Sequence, residues 1–242
     1  MKLYIAMPAY SGSVRVETMM ALVQETQLLN QLGIDVHVNV NAGDSILPRC
    51  RNMFVQDFAN KKDFDEFFFI DDDIVWELGA IARLMKYKVD FVAGCYPKRA
   101  DPITYPVRWL DESVVEPDPA TGLIEVGGVP TGFMRLTRHC VESMLAKYWG
   151  DAYEEDGLDP PEAIALFDFV RYNGEYWGED YVFCKKWRDM GGKIWLDPEI
   201  AFEHIGYKRF GGKVGDWLRT RNDEMTNVTK ILPKIRVPAG KA

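Results

Sequence analysis

The sequence predicts an α/β fold: a mostly parallel sheet flanked by helices, with a smaller mixed β region in its second half. Three observations carry this. Over the first hundred residues short apolar runs alternate with helical stretches in the order β-α-β-α-β-α-β, the pattern of a parallel sheet that offers ligands the carboxyl ends of its strands. Beyond residue 100 that alternation gives way to Pro, Gly and short extended runs. The chain has 242 residues and is 47% hydrophobic, enough for one large core.

The elements follow in order. Residues 2–7 (KLYIAM) read as a buried strand stopped by Pro8. Residues 14–32 place Val16, Met19, Met20, Val23, Leu28, Leu29 and Leu32 at helical spacing, and Gly33 closes the helix. IDVHVNV (34–40) alternates apolar and polar, as a half-buried strand does. After NAGDS, Pro48 suits the first turn of a helix that runs to about Asn60. Residues 66–70 form a third strand, 78–87 a helix, and 90–95 (DFVAGC) a fourth strand. Residues 101–137 read as a β-hairpin region leading into the strand GFMRLTR, followed by a helix over 138–148 and the acidic loop DAYEEDGLDPPE. A strand ALFDFV, the segment NGEYWGED, a helix to Met190 and the strand KIWLD complete the pattern. There is no internal repeat and no low-complexity linker, so a single domain with two lobes is expected, its body over 1–206 and a basic tail over 207–242.

Composition narrows the function classes. Net charge is −8, yet residues 207–242 hold nine Lys/Arg against three Asp/Glu. With +6 in that stretch, the first 206 residues carry −14. An acidic body argues against broad nucleic-acid binding, while the tail suits an anionic ligand. Four scattered cysteines without C-x-x-C spacing indicate neither a zinc site nor a disulfide framework, and a cytoplasmic setting is expected. No run is long enough to span a membrane. Neither G-x-G-x-x-G after the first strand nor G-x-x-x-x-G-K-[ST] is present, against a dinucleotide dehydrogenase and a P-loop enzyme.

Four stretches carry chemistry. FFFIDDDIVW (67–76) drives an apolar strand into Asp71, Asp72 and Asp73. Strand alternation puts Asp71 and Asp73 on one side and Asp72 on the other, and paired carboxylates at a strand end suit Mg²⁺ or Mn²⁺ with positions open for phosphate oxygens. The competing reading is a solvated acidic turn. In YWGEDYVFCKKW, Gly178 places Glu179 and Asp180 in the first turn of a helix. There the dipole favours the ionised carboxylate that a general base must be, although acidic residues also occur at helix starts for stability alone. His204 in IAFEHIG lies in a short apolar segment, where a lone His is more often a core residue than a ligand. ILPRCRNMFV opens a helix with Arg49, Arg51 and Asn52, which suits phosphate contacts or a plain exposed helix start equally.

Taken together, the P-A-Y turn after the first strand, R-N opening the second helix, D-x-D after an apolar strand, GGVPTGFMRLTR, E-D at a helix start and a late His resemble a glycosyltransferase of GT-A fold (Rossmann-like). The likeness covers roughly residues 1–206 and is greatest to the small enzymes of phages and large DNA viruses, which implies a host cytoplasm. The resemblance implies that Pro8, Ala9 and Tyr10 cradle the nucleotide, with Arg51 on nucleotide or phosphate. It implies that Asp73 binds Mn²⁺ or Mg²⁺ directly, that Asp71 supports ribose and metal with Asp72 beside it, and that His204 is a further ligand of the cation. Gly128 to Phe133 would line the sugar and acceptor side, and Asp180 would be the base of an inverting reaction with Glu179 beside it. The donor would be a nucleoside-diphosphate sugar, UDP-sugar favoured, and the acceptor a glycan, a lipid-linked sugar, a protein or a modified DNA base. Lys208, Arg209 and Lys213 would close over the diphosphate or form a solvated tail. Two other classes remain: a nucleotidyltransferase making sugar nucleotides, which would have a Gly-rich first loop where AMPAYSGSVR has one Gly, and a non-catalytic glycan- or nucleotide-binding module, which needs no Asp180.

Overall fold

The structure, a computed structural model, describes residues 1–111 and 115–221. The first half contains β1 (Lys2–Ala9), α1 (Val16–Gln31), β2 (Asp35–Ala42), α2 (Leu47–Asn60), β3 (Glu66–Ile70), β4 (Ile74–Trp76), α3 (Ala80–Met85) and β5 (Phe91–Gly94). The second contains β6 (Ile124–Val126), β7 (Phe133–Thr137), α4 (Arg138–Lys147), β8 (Ala152–Glu154), β9 (Glu162–Ile164), β10 (Val170–Tyr172), β11 (Glu175–Trp177), α5 (Glu179–Asp189), β12 (Ile194–Asp197), β13 (Phe202–Ile205) and β14 (Arg209–Gly212). A further helix, α6, covers 214–221 of the described residues.

The 7-stranded central sheet has the order β2-β1-β3-β7-β5-β12-β6. β2, β1 and β3 are parallel, as are β5 and β12, while β7 and β6 run against their neighbours. From β1 the chain goes outward to β2 and then returns to lay β3 on β1's other side. The loops after β1 and β3 therefore diverge at a topological switch point, where an open α/β sheet offers a crevice beyond its carboxyl ends.

Alternation along β3 divides the core. Phe67 and Phe69 pack with Phe54 and Phe58 of α2 on one face, while Phe68 and Ile70 pack with Leu22 and Leu29 of α1 and Ile81 and Leu84 of α3 on the other. Burial on both faces explains why β3 reads as an unbroken apolar run.

Several elements differ from the sequence expectation. β1 does not stop at Pro8: it continues to Ala9 beside β2. Its pairing with β3 ends at Ala6, so Pro8 lies where no second ladder needs its missing N–H. The third helix starts at Ala80 rather than 78, because Gly79 has φ 90, outside the helical region. Residues 101–137 contain no β6–β7 hairpin, since β6 pairs with β12 and β7 inserts between β3 and β5. ALFDFV does not form a strand of its own; only its last residue, Val170, belongs to one, β10. Buried Asn52 donates to the Phe167 carbonyl at 3.0 Å and accepts from its N–H at 2.8 Å, so a side-chain amide replaces a neighbouring strand there. β4 was not foreseen; with β13 and β14 it forms a small antiparallel sheet.

The segment after 206 is built into the body as far as it is described. β14 pairs with β13, Phe210 and Val214 are 1% exposed, and Trp217 and Leu218 pack against the core. The rest of the expected basic tail, 222–242, lies outside the described residues.

Candidate active site

Asp71, Asp72 and Asp73 form the turn between β3 and β4, at the switch-point edge of the sheet. Because the strand ends at Ile70, its alternation does not reach them, and Asp71 and Asp73 have different surroundings rather than one shared side. Asp71 Oδ1 accepts from Arg51 Nη2 at 3.1 Å, and Oδ2 accepts from the Tyr96 hydroxyl at 3.1 Å. Asp73 pairs with Arg99, and its Oδ1 is 3.5 Å from His204 Nε2. Asp72 faces the cleft, with its carboxyl pushed up by burial and by the Asp71 charge.

The Asp73–His204 pair is set by backbone pairing. β13 lies antiparallel to β4, with His204 opposite Ile74, and the Ile205 N–H donates to the Asp73 carbonyl at 2.9 Å. His204 Nδ1 is 2.8 Å from the Pro97 carbonyl. A carbonyl can only accept, so Nδ1 carries the proton and Nε2 presents its lone pair toward Asp73. Burial also pushes the His204 pKa down, favouring the neutral ring. A carboxylate beside a neutral imidazole whose other nitrogen is fixed by a carbonyl fits a divalent cation. Among the described residues no three His, Cys, Asp or Glu side chains gather as a complete cage, so any such cation needs oxygens from a ligand or water as well. Asp71, tied to Arg51 and Tyr96, stands outside that pair.

Arg51 is 4% exposed, and its position differs from a phosphate contact on a free helix end. Nη1 donates to Glu179 Oε1 at 2.7 Å while Nη2 holds Asp71. The guanidinium thus ties the start of α5 to the end of β3. Glu179 is ion-paired with it. Asp180 has no such partner: Oδ1 accepts from the Tyr181 N–H at 2.8 Å, and among the described residues no Lys or Arg is bonded to it. Burial, then the neighbouring Glu179 charge, raises its pKa to about 6, with Arg51 pulling the other way.

A cleft of about 410 Å³ opens at the aspartate turn, lined by Pro8, Tyr10, Asp71, Asp72, Asp73, Tyr96, Lys98, Arg99 and His204, with Glu179 and Asp180 outside its lining. It continues past Tyr10 and Arg99 into a polar recess with Ser11, Ser13 and Arg15. Ala9 contributes through its carbonyl, which accepts from the Gly12 and Gly43 N–H groups and shapes the turn. Gly132, within the segment expected on the sugar and acceptor side, lies against Asp71 and Tyr96. A Cβ there would collide with both, and its own N–H donates to the Tyr96 hydroxyl at 3.2 Å. Gly128 packs on Tyr181 and Cys184 of α5.

Lys208 is outside the cleft lining and pairs at the surface with Asp101, while Arg209 pairs with Glu17 and Glu203. The basic groups facing the cleft are Lys98, Arg99 and Arg15. Sequence reading missed them and Tyr96, although the signal was present. CYPKRA follows the buried β5, so an aromatic and two cations leave the same sheet edge as the three aspartates.

No family model and no curated protein sequence matches the chain. Among solved structures it is similar to A197 from STIV, with 19% identity, 89% of this chain and 91% of that one covered, and a TM-score of 0.55. It is also similar to a Drosophila beta1,4-galactosyltransferase 7 mutant in complex with manganese, UDP-Gal and xylobiose, with 16% identity, 86% and 74% covered, and a TM-score of 0.45. Another similar structure is the inositol-1-phosphate CTP transferase from T. maritima, with 13% identity, 96% and 98% covered, and a TM-score of 0.44. The mostly parallel sheet, its flanking helices and the small antiparallel sheets give this chain a GT-A-like α/β fold.

Proposed function

We propose that this chain transfers a sugar from a nucleoside-diphosphate sugar, a UDP-sugar in the first instance, to an acceptor hydroxyl, with inversion at the anomeric carbon. One observation carries the reading. A cation-competent pair, Asp73 and His204, stands beside Asp71, and the Arg51 that holds Asp71 also holds Glu179, next to Asp180, a carboxylate with no Lys or Arg bonded to it among the described residues and pushed up to about 6.

In this reading Pro8 and Tyr10 cradle the nucleotide base, and Lys98 and Arg99 attract the diphosphate. Asp73 and His204 would hold Mn²⁺ or Mg²⁺, which would supply positive charge beside the departing diphosphate. Arg51 fixes Asp71 and Glu179, so that α5 presents Asp180 in one orientation. Asp180 takes the acceptor's proton at Oδ2, since Oδ1 accepts from the Tyr181 amide. The acceptor oxygen bonds to the anomeric carbon as the bond from that carbon to the diphosphate oxygen breaks, and the electron pair departs with the diphosphate.

The test is incubation with a panel of sugar nucleotides and Mn²⁺. Release of nucleoside diphosphate, suppressed by a chelator and by Asp180→Asn, supports the transferase. Pyrophosphate formation from a sugar phosphate and a nucleoside triphosphate would identify a nucleotidyltransferase instead, and binding without turnover a non-catalytic module.

A further inference from the structure

Asp73 meets two different partners. Oδ1 is 3.5 Å from His204 Nε2, and Oδ2 is paired with Arg99 Nη2. The aspartate itself is fixed, because its carbonyl accepts from the Ile205 N–H at 2.9 Å and its side chain is 17% exposed. A carboxylate this enclosed is costly without a counter-charge, and Arg99 supplies one. Of the two arginines paired with the aspartate turn, Arg99 is the movable one. The Arg51 side chain is 5% exposed and gripped by two carboxylates. That of Arg99 is 42% exposed, with Asp73 as its one ion-pair partner among the described residues. Its stem lies over Gly206, where a Cβ would come within 2.9 Å of Arg99 Cδ. Arg99 borders both the cleft and the recess beside Ser11, Ser13 and Arg15.

We propose that Arg99 is an exchangeable counter-cation: it holds Asp73 while the site is free of metal, yields the carboxylate to a divalent cation, and then turns to the diphosphate. The diphosphate contact rests on the transferase reading; the exchange rests on the Asp73–His204 pair alone. Asp71, Asp72 and Asp73 stand among Arg51, Arg99 and Arg15, so their charges are balanced before any ion enters. A dication at Asp73 and His204 adds two positive charges close to the Arg99 guanidinium. Both side chains are mostly shielded from water, where like charges repel strongly. His204 is neutral and Arg51 is committed to Asp71 and Glu179, so Arg99 is the group whose departure relieves the repulsion. Its released guanidinium remains at the cleft, and two parallel N–H groups suit phosphate oxygens. Cation and nucleotide are then coupled: each binds weakly alone and tightens the other by the same factor.

Mn²⁺ binding to the whole chain is followed by electron paramagnetic resonance of the free ion, and UDP binding by calorimetry with saturating Mn²⁺ and with EDTA. Arg99→Gln keeps a hydrogen-bond donor without the charge, and is expected to bind Mn²⁺ alone about tenfold tighter than the parent. Arg99→Lys, which keeps the charge, should stay within about threefold of the parent. Adding Asp73→Asn to Arg99→Gln should abolish the gain, which assigns it to this site rather than to the acidic surface. UDP binding to Arg99→Gln should weaken about tenfold with Mn²⁺ and be unchanged in EDTA, where Arg99 is still held by Asp73 in the parent. Unchanged or weaker Mn²⁺ binding to Arg99→Gln, or an equal loss of UDP affinity with and without Mn²⁺, overturns the proposal. If Mn²⁺ tightens in Arg99→Gln but UDP binds to neither form, the exchange at Asp73 stands and its diphosphate half falls with the transferase reading. If UDP binds with Mn²⁺ while Arg99→Gln leaves Mn²⁺ binding unaltered, the transferase reading stands and the exchange fails.

Discussion

Glu179 and Asp180 are adjacent in sequence and opposite in circumstance. Arg51 is ion-paired with the first, while the second is half-buried with one backbone amide as its partner. Transfer is therefore expected to hold near neutral pH and to fall as pH drops below about 6, a limb read from kcat/KM against pH. Asp180→Asn should remove that limb and lower turnover by about 10²–10⁴-fold, leaving the calorimetric Kd for UDP with Mn²⁺ unchanged. The same shift sets a stability effect of known sign. The folded pKa exceeds the ordinary 3.8, so ionising Asp180 disfavours the fold: the penalty is absent below both values and fully present above about 6. The Asn variant should therefore melt higher than the parent at neutral pH and no higher at about pH 3. At the other pole, Asp73→Asn should weaken Mn²⁺ binding more than His204→Ala, since water replaces a neutral ligand more readily than a charged one; titration of Mn²⁺ with UDP present tests the order. The aspartates, E-D and the histidine were all legible as sequence. The distribution of partners among them was not, because it depends on which buried cation reaches which carboxylate. Arg51 looked like a helix-start phosphate contact until its two carboxylates came together from positions 20 and 128 residues away.

Elements show the same division between local and non-local information. β3, α2 and α4 were readable because burial period and breakers such as Pro48 are local signals. β4 was hidden because three residues carry no period, and its existence depends on β13, whose partner residues lie more than a hundred positions later. ALFDFV looked like a strand for a related reason: Leu166 and Phe167 are buried, but the Phe167 backbone is satisfied by the Asn52 side chain. The segment after 206 reads as a basic tail, lid or helix of the same domain because its charge dominates a short apolar pattern; Phe210 and Val214 are core residues. Removing 207–242 should therefore destabilise the body rather than raise a donor KM alone. Fully burying each such side chain contributes about 1.5–3 kcal/mol, so a clearly lower Tm or insoluble protein is expected. A truncated chain with the parent's Tm would show that β14 and α6 contribute nothing. Gly132→Ala makes a sharper demand on one position: its Cβ has no room beside Asp71 and Tyr96. A cost of about 1–3 kcal/mol is expected in denaturant unfolding, together with weaker UDP binding as the Asp71 turn is displaced.

At the scale of the whole molecule, the first hundred residues supply most of the cleft, with His204 reaching it from β13, and the later ones supply α5 and the hairpin before it. Arg51 is the residue that joins the two. It starts in α2, grips Asp71 after β3 and reaches Glu179 at the head of α5, while its guanidinium lies 5.9 Å from the centre of the Phe167 ring. Desolvation of a side chain this buried opposes its charge, and the two carboxylates outweigh that cost, leaving the Arg51 pKa raised. A buried cation between two anions is weak evidence for net stability, but removing it alone strands both partners. Arg51→Met should therefore cost about 3–5 kcal/mol in urea unfolding. Adding Glu179→Gln to that variant removes one stranded charge and should recover part of the loss, a coupling visible in a double-mutant cycle. Function separates this joint from simple packing. With Arg51 gone, the Asp180 carboxyl loses the nearby positive charge that holds its pKa down, so in Arg51→Met the acid limb of kcat/KM should move above 6. Arg51→Lys, which keeps the charge but not the two-pronged geometry, should leave the limb close to its parent position while still losing stability. An unmoved limb in Arg51→Met, with the protein folded, would separate the base from this network and confine Arg51 to holding the two halves together.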